Sequence, residues 1–385
     1  MNHVVAHTDV VVIGAGIIGA SIAYHLSAAG HAVVVLESRS GYAEGSSGRS
    51  FASIRSQWAE DLSIDLSWNS TRAYQRFEAE HGIDIGYRPT GYLLLFAPHV
   101  WERQLEAVAR QRRHGVPVEV LDVASAQRLT PFEGDGIAGA TFGSADGRID
   151  PHVATGAYLT LARSRGASVH LKSPVTAIEP EPDGTWTVRT ATRALRAHHV
   201  VNAAGGWSAE TAALAGIRTP IVHSKRNVYA SASGSLDRDI PMTCDMATGV
   251  YMRSDADRLL FGGTRPGQTD GYDTDVDWDW LEGLLGIASH RFPWLANLPL
   301  DMKACWAGTY ENTPDARPIV GPEPSAPGWI HACGFSGHGV MQAPEIGRLV
   351  AEQVTHGAIA SMDLTPLAPE RFKGDTASSR LDMVI

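Results

Sequence analysis

The hydrophobic period of the chain switches early. "DVVVI", residues 9–13, is an unbroken β-branched run, the pattern of a strand buried on both faces. Beyond a glycine-rich turn, Ile17, Ile18, Ala20, Ile22, Ala23 and Leu26 form an apolar helical face, and Gly30 stops the helix. "HAVVVLE", residues 31–37, is a second strand. Residues 168–201 read as successive strands with "PDGT" as a hairpin turn, and 198–216 as strand, glycine turn and helix. "IVHSKRNVYAS", "GVYMRS" and "RLLFGGT" predict a mixed sheet, and "DVDWDWLEGLLGIASHRF" a helix. Residues 328–357 give a strand, a second glycine-rich loop and a helix from about Ala343, and 371–385 read as a loose tail.

The first strand–turn–helix–strand unit carries chemistry. Gly14, Gly16 and Gly19 have GxGxxG spacing, with Ala15, Ile17 and Ile18 between them. Gly14 permits the tight turn, Gly16 lets backbone approach a pyrophosphate, and Gly19 lets the helix pack close on the strand. The helix N-terminus offers free N–H groups to phosphate. Glu37, followed by Ser38, ends the second strand, where a carboxylate accepts hydrogen bonds from ribose hydroxyls. "GDGIAG", residues 134–139, has the same spacing without a strand before it or a helix after it, and reads as a turn. The unit at 8–37 therefore predicts a dinucleotide site.

Composition narrows the class. The 385 residues suggest two domains, and a net charge of −10 argues against a nucleic-acid or anionic-membrane surface. The longest apolar run, Val10 to Leu26, is broken by three glycines, so no membrane span is predicted. Cys244, Cys305 and Cys333 are far apart and lack CxxC spacing, which predicts neither disulfides nor a zinc site and suggests the cytoplasm. No metal site is predicted: the acidic run at 269–280 lacks the glycine and terminal glutamate of a calcium loop and reads as a solvated loop entering a helix.

The strands before 198–216, together with "WAGTYENTPDARPIVGP" (306–322) and "GFSGHGVMQAP" (334–344), resemble the D-amino-acid-oxidase-like flavoproteins. The similar branch holds sarcosine oxidase and the sarcosine, proline and dimethylglycine dehydrogenases. The resemblance implies an α/β fold, α+β in its second part. An FAD-binding Rossmann-like domain with a β-meander would comprise 1–85, 145–215 and 315–375, a substrate domain with a mixed β-sheet 86–144 and 216–314, and a tail 376–385.

Residue by residue, the resemblance places Ser46, Ser47, Gly48, Arg49 and Ser50 near the pyrophosphate and flavin ring, and Val175 on the adenine side. Ala203, Ala204, Gly205 and Trp207 match the second glycine turn. Gly334, Gly337, His338, Gly339 and Val340 match the flavin loop, where the backbone of His338 is expected to matter more than its ring. Arg55 falls on the arginine that grips a substrate carboxylate, with a surface or phosphate-facing arginine as the other reading. Tyr251 and Tyr310 fall on two active-site tyrosines and read equally as core aromatics. Gly308 stands where a cysteine anchors flavin covalently, so non-covalent FAD is expected. The lysine that promotes reaction with oxygen falls near Leu260, and Met341 replaces a second carboxylate-binding lysine.

The implied activity is oxidation of the C–N bond of an amino or N-alkyl amino acid, amine to imine, with a hydride equivalent passing to flavin N5. Met341 and the missing lysine favour a dehydrogenase over an oxidase. A different reading is a flavin-containing subunit of a hetero-oligomeric dehydrogenase with an electron-transfer or assembly role and no turnover of its own. A homo-oligomer is equally open, and a plain NAD-dependent dehydrogenase rests on the first motif alone.

Overall fold

A computed structural model describes residues 5–268 and 271–373, so the expected tail at 376–385 lies outside the described residues. The strands sort mainly into two eight-stranded sheets. In the first, Val5–Ile13 lies between Ala194–Asn202 and Val33–Leu36 and runs parallel to both. Ser168–His170 extends this sheet beyond Val33–Leu36, and Trp329–Cys333 extends it beyond Ala194–Asn202, both in parallel. The strands Val175–Pro180 and Trp186–Thr190 form the expected meander, antiparallel onto the front half of Ala194–Asn202. Mixed α/β architecture follows from these pairings.

The β-branched runs are inserted between helices because they are apolar on both faces. Val10, Val11 and Val12 are fully buried. The helix Ile17–Ala28 has buried residues on nearly every side, packing against the helices Pro151–Arg163 and Gly339–His356. Close helix packing here requires Gly347: a Cβ there would lie 2.2 Å from Ser21 Oγ.

The second sheet runs in the order Trp306–Asn312, Val222–Ala230, Arg258–Gly262, Val250–Asp255, Met242–Asp245, Tyr92–Phe96, Gly139–Gly143, Val118–Leu121. The three strands expected in this region are present. Met242–Asp245, Tyr92–Phe96 and Trp306–Asn312 join them without having been anticipated. The helix Trp278–Arg291 packs on this sheet, and its start is fixed by Asp277, whose side chain accepts from Trp280 N–H at 3.1 Å. The described part of the acidic run is thus a loop entering a helix. "GDGIAG" is a turn running into the strand Gly139–Gly143.

Two expectations need correction. The helix after the second glycine-rich loop starts at Gly339, four residues before Ala343, because Gly339 and Val340 already have helical geometry and Pro344 is accommodated inside its first turns. Residues 371–373 are not loose: Arg371 Nε lies 2.8 Å from Asp315 Oδ2, and the same guanidinium donates to the carbonyls of Arg317 and Pro318.

The glycines of the first turn show how tight the packing is. A Cβ on Gly19 would lie 2.0 Å from the carbonyl oxygen of Gly14, so the helix could not sit where it does. Gly19→Ala is expected to destabilise the fold by about 1–3 kcal/mol through overpacking. Gly286, on the exposed side of the helix Trp278–Arg291, provides the control: it has no positive φ, and a Cβ there meets nothing within 4 Å. Urea melts of cofactor-free protein should show a larger loss for Gly19→Ala than for Gly286→Ala.

Candidate functional site

Parallel pairing of Val5–Ile13 with Ala194–Asn202 brings the two glycine turns edge to edge. Gly14 has φ +108°, and a Cβ on it would lie 2.4 Å from Ala203 O. The turn is braced from two sides. Glu37 Oε2 accepts from Ala15 N–H at 2.8 Å, and Ser47 Oγ accepts from Ile17 N–H at 3.0 Å. Glu37 Oε1 accepts from the Arg39 N–H and the Ser38 hydroxyl. Glu37 therefore holds the loops together as well as facing the cavity.

A cavity of about 430 Å³ opens above these turns, within the range of small-molecule and cofactor sites. Gly14, Gly16, Ile17, Ile18, Glu37 and Ser38 line it, with Ser173, Pro174 and Val175. Ser46, Ser47, Arg49 and Ser50 also line it, as do Ala203, Ala204, Gly205 and Trp207. Tyr251, Gly308, Tyr310, Gly337, Gly339 and Val340 complete the candidate residues on its wall.

Four other candidate residues lie behind the wall. Ala15 is fully buried, and Gly19 packs under the turn. A Cβ on Gly48 would meet Ala43 O and His152 Nε2, each at 2.4 Å, and one on Gly334 would meet Thr313 Cγ2 at 2.5 Å. They shape loops that others present.

A smaller recess of about 40 Å³ adjoins the cavity, sharing Ser50, Phe51, Tyr251, Tyr310 and Gly337 with it. Ala52, Ser53, Arg55, Tyr92, Met242, His338 and Met341 complete its wall. Arg55 is 2% exposed, and its Nε and Nη1 are buried without an acceptor. Its guanidinium carbon lies 4.0 Å from the Trp58 ring centre and 5.5 Å from that of Tyr92, so aromatic faces steady the charge and leave N–H groups free. A surface placement for Arg55 is excluded by this burial.

The segment holding Arg55 is fixed by a buried network. Asp146 Oδ1 accepts from Ser56 N–H at 2.8 Å, and Asp146 Oδ2 from the Gln57 amide at 3.1 Å. Gln57 also donates to Tyr92 O and accepts from Thr141 Oγ1. Burial pushes the Asp146 carboxyl up to about 6, partly offset by the bonds from Gln57 and Ser56.

The other recess side chains are neutral. Burial holds the Tyr251 and Tyr310 phenols above their usual range, so both keep their protons. A Cβ on Gly337 would lie 2.4 Å from the Tyr310 ring, so that loop needs glycine for the tyrosine to fit. Burial, with Arg55 adding, lowers His338 to about 3. The His338 ring lines the recess edge-on to Trp58 at 4.6 Å, and its Nε2 is buried without a partner, so the ring as well as the backbone belongs to the site. Met341 packs against the cluster of Trp58, Ile64 and Val108.

Several wall residues have no local signature. Arg226 lies opposite Gly308 in strand register, with its guanidinium 4.5 Å from the Tyr310 ring centre. Glu311, Phe51, Tyr92 and Met242 also line the site. Strand alternation placed Arg226 on one face of its strand, but only the register shows which face meets the cavity. Leu260 is buried against Val228, Ala230 and Phe51.

The wall fits a flavin dinucleotide. The helices Ile17–Ala28 and Gly339–His356 both begin at the cavity, and neither has an acidic residue in its first turn. Two positive helix ends and a glycine cradle suit an anionic, flat ligand.

Asp146→Ala would leave the Ser56 N–H and the Gln57 amide without their carboxylate acceptor. It is expected to cost about 1–3 kcal/mol for each donor left unmet, read from chemical denaturation.

Comparison with known proteins agrees with this geometry. The rat mitochondrial dimethylglycine dehydrogenase is 28% identical over 94% of this chain and 45% of its own length. The 4-methylaminobutanoate oxidase (formaldehyde-forming) of Paenarthrobacter nicotinovorans is 28% identical over 96% of this chain and 46% of its own. The chain thus spans about half the length of these curated relatives. Among solved structures, L-proline dehydrogenase from P. horikoshii superposes with TM-score 0.88 at 28% identity, covering 96% of this chain and 99% of that one. Glycine oxidase from Geobacillus kaustophilus gives 0.81 at 25% identity, covering 96% and 100%. The DAO family, described as FAD dependent oxidoreductase, matches residues 9–353, and the chain belongs to that family.

Proposed function

We propose that this chain oxidises the C–N bond of an amino acid or N-alkyl amino acid bearing one carboxylate. The observation that carries the reading is Arg55: a buried cation with two unpaired N–H-bearing nitrogens on a recess continuous with the cofactor cavity. An uncompensated buried charge is costly, and an incoming carboxylate relieves that cost. The relatives named for dimethylglycine, proline and glycine support an amino-acid substrate.

When bound, FAD supplies the two-electron acceptor for the hydride equivalent leaving the carbon beside the nitrogen. The chain's own residues orient and select. Arg55 grips the carboxylate and so fixes the adjacent carbon against the larger cavity. Tyr251 and Tyr310, protonated and standing where the two cavities meet, offer hydroxyls to the substrate's polar atoms. Phe51, Tyr92, Met242 and Met341 make much of the remaining wall apolar, beside Ser50, Ser53 and His338, and it offers no second arginine or lysine for another carboxylate. A compact, apolar amine body suits such a recess.

The assigned cofactor-binding residues and the division into an FAD domain and a substrate domain are part of this proposal. FAD is held without a covalent bond: Gly308 has Arg49 against it, and Cys305 instead donates to Asp301 O. Neither cavity wall contains a cysteine among the described residues. Three free cysteines favour a reducing compartment such as the cytoplasm. No described helix is long and apolar enough to cross a membrane.

Anaerobic titration of the yellow holoprotein with N-methyl and cyclic amino acids is expected to bleach the flavin. Failure of every amino or N-alkyl amino acid to do so would sink the proposal. With no lysine in the segment around Leu260, where the resemblance places the oxygen-promoting one, colour is expected to return slowly on admission of air. Arg55→Ala is expected to raise KM for a bleaching substrate roughly 100-fold, about 3 kcal/mol, with FAD still bound.

A second reading is a flavin-carrying part of a hetero-oligomeric dehydrogenase without turnover of its own. Met341, standing in the recess where the resemblance places a second carboxylate-binding lysine, motivates it. Co-purification with another chain and no bleaching until that chain is added would select it.

A further inference from the structure

Glu311 is a buried carboxyl that the proposed chemistry leaves unused. It sits on Trp306–Asn312, opposite His223 of Val222–Ala230, and lines the larger cavity. Glu37, Glu44 and Glu210 also line that cavity, but among the described residues of its wall Glu311 is the one buried carboxylate, at 8% exposure. It lies where two cavity loops meet: a Cβ on Gly205 would lie 3.6 Å from its Oε2, and the Ser336 N–H donates to its backbone carbonyl at 3.0 Å.

Among the described residues no cation pairs with this carboxyl. On the neighbouring strand, the His223 ring is hydrogen-bonded to Gly206 O, Lys225 pairs with Asp273, and Arg226 stacks on Tyr310. On the 44–50 segment, Glu44 accepts from Ser40, and Arg49 donates to Ala307 O. Beyond it, Cys333 is a protonated thiol, pushed up to about 12 chiefly by burial with Glu311 adding, and His338 is neutral. Burial pushes the Glu311 carboxyl up to about 7, against a partial pull from Phe335 N–H and Ser46.

We propose that Glu311 is a proton-dependent gate on cofactor retention: neutral, it shares the cavity with an anionic dinucleotide; ionised, it opposes it. The inference rests on the reading that this cavity holds FAD. Its sign follows from linkage. Below pH 7 the carboxyl is protonated with and without FAD, and affinity is level. Above pH 7 the empty protein ionises first, because the pyrophosphate charge raises Glu311 further in the complex. Affinity then falls with rising pH, by at most about tenfold per pH unit, until the complex ionises too.

The test is FAD dissociation from the holoenzyme, read as recovered flavin fluorescence on dilution at pH 6, 7, 8 and 9. Wild-type Kd is expected to be level from pH 6 to 7 and to rise several-fold to tenfold per unit above it. Glu311→Gln should hold the low-pH affinity throughout. Calorimetry at pH 8 in buffers of different ionisation enthalpy supplies a check that needs no variant: FAD binding to the wild-type chain should take up protons. A level wild-type profile, no proton uptake, or an equal slope in Glu311→Gln overturns the inference while the cofactor reading stands. A chain that binds no FAD at pH 6 overturns both.

Discussion

The structure depends on one close approach, between the turn after the first strand and the turn after Ala194–Asn202. No side chain fits between Gly14 and Ala203 O. That contact exists because Val5–Ile13 and Ala194–Asn202 pair in parallel along most of their length, although about 190 residues separate them. Once they are paired, their ends stop at the same height, and both turns face the same opening. The cavity is thus a consequence of strand register, in the way open α/β sheets bind ligands beyond the carboxyl ends of their strands.

The second cavity wall arrives by a different route. Ser53–Ile54 pairs with Gly147–Arg148, and Asp146 just before that strand fixes Ser56 and Gln57. Arg55 is held between these two attachments, with Trp58 beneath its guanidinium. Its charge is buried before any partner arrives. Such a site is costly to the fold, because a buried guanidinium with unpaired N–H groups carries its desolvation cost uncompensated.

The parts legible in the sequence are those written locally. Gly14, Gly16, Gly19 and Glu37 announce themselves by spacing, and the meander by its hairpin turn. Arg55 and Met341 were reachable through family resemblance, and the structure brings both to one recess. What escaped depends on register between distant strands. Arg226 faces Gly308, and Glu311 faces His223, only because Val222–Ala230 pairs with Trp306–Asn312. Nothing local in "GSADG" reveals that the Asp146 carboxylate accepts from the backbone of Ser56, ninety residues earlier. The helix start at Gly339 escaped because three glycines argue for loop, whereas the flanking strand and the packing on Ile17–Ala28 decide the matter.

That packing has a further effect. The helix Gly339–His356 rests on Ile17–Ala28 at Gly347, where a Cβ would lie 2.2 Å from Ser21 Oγ. The separation of their two N-terminal ends is thus set by how closely their backbones pack. A long ligand laid across both must match that spacing. That spacing is set by backbone packing and by a glycine, not by the side chains that line the cavity.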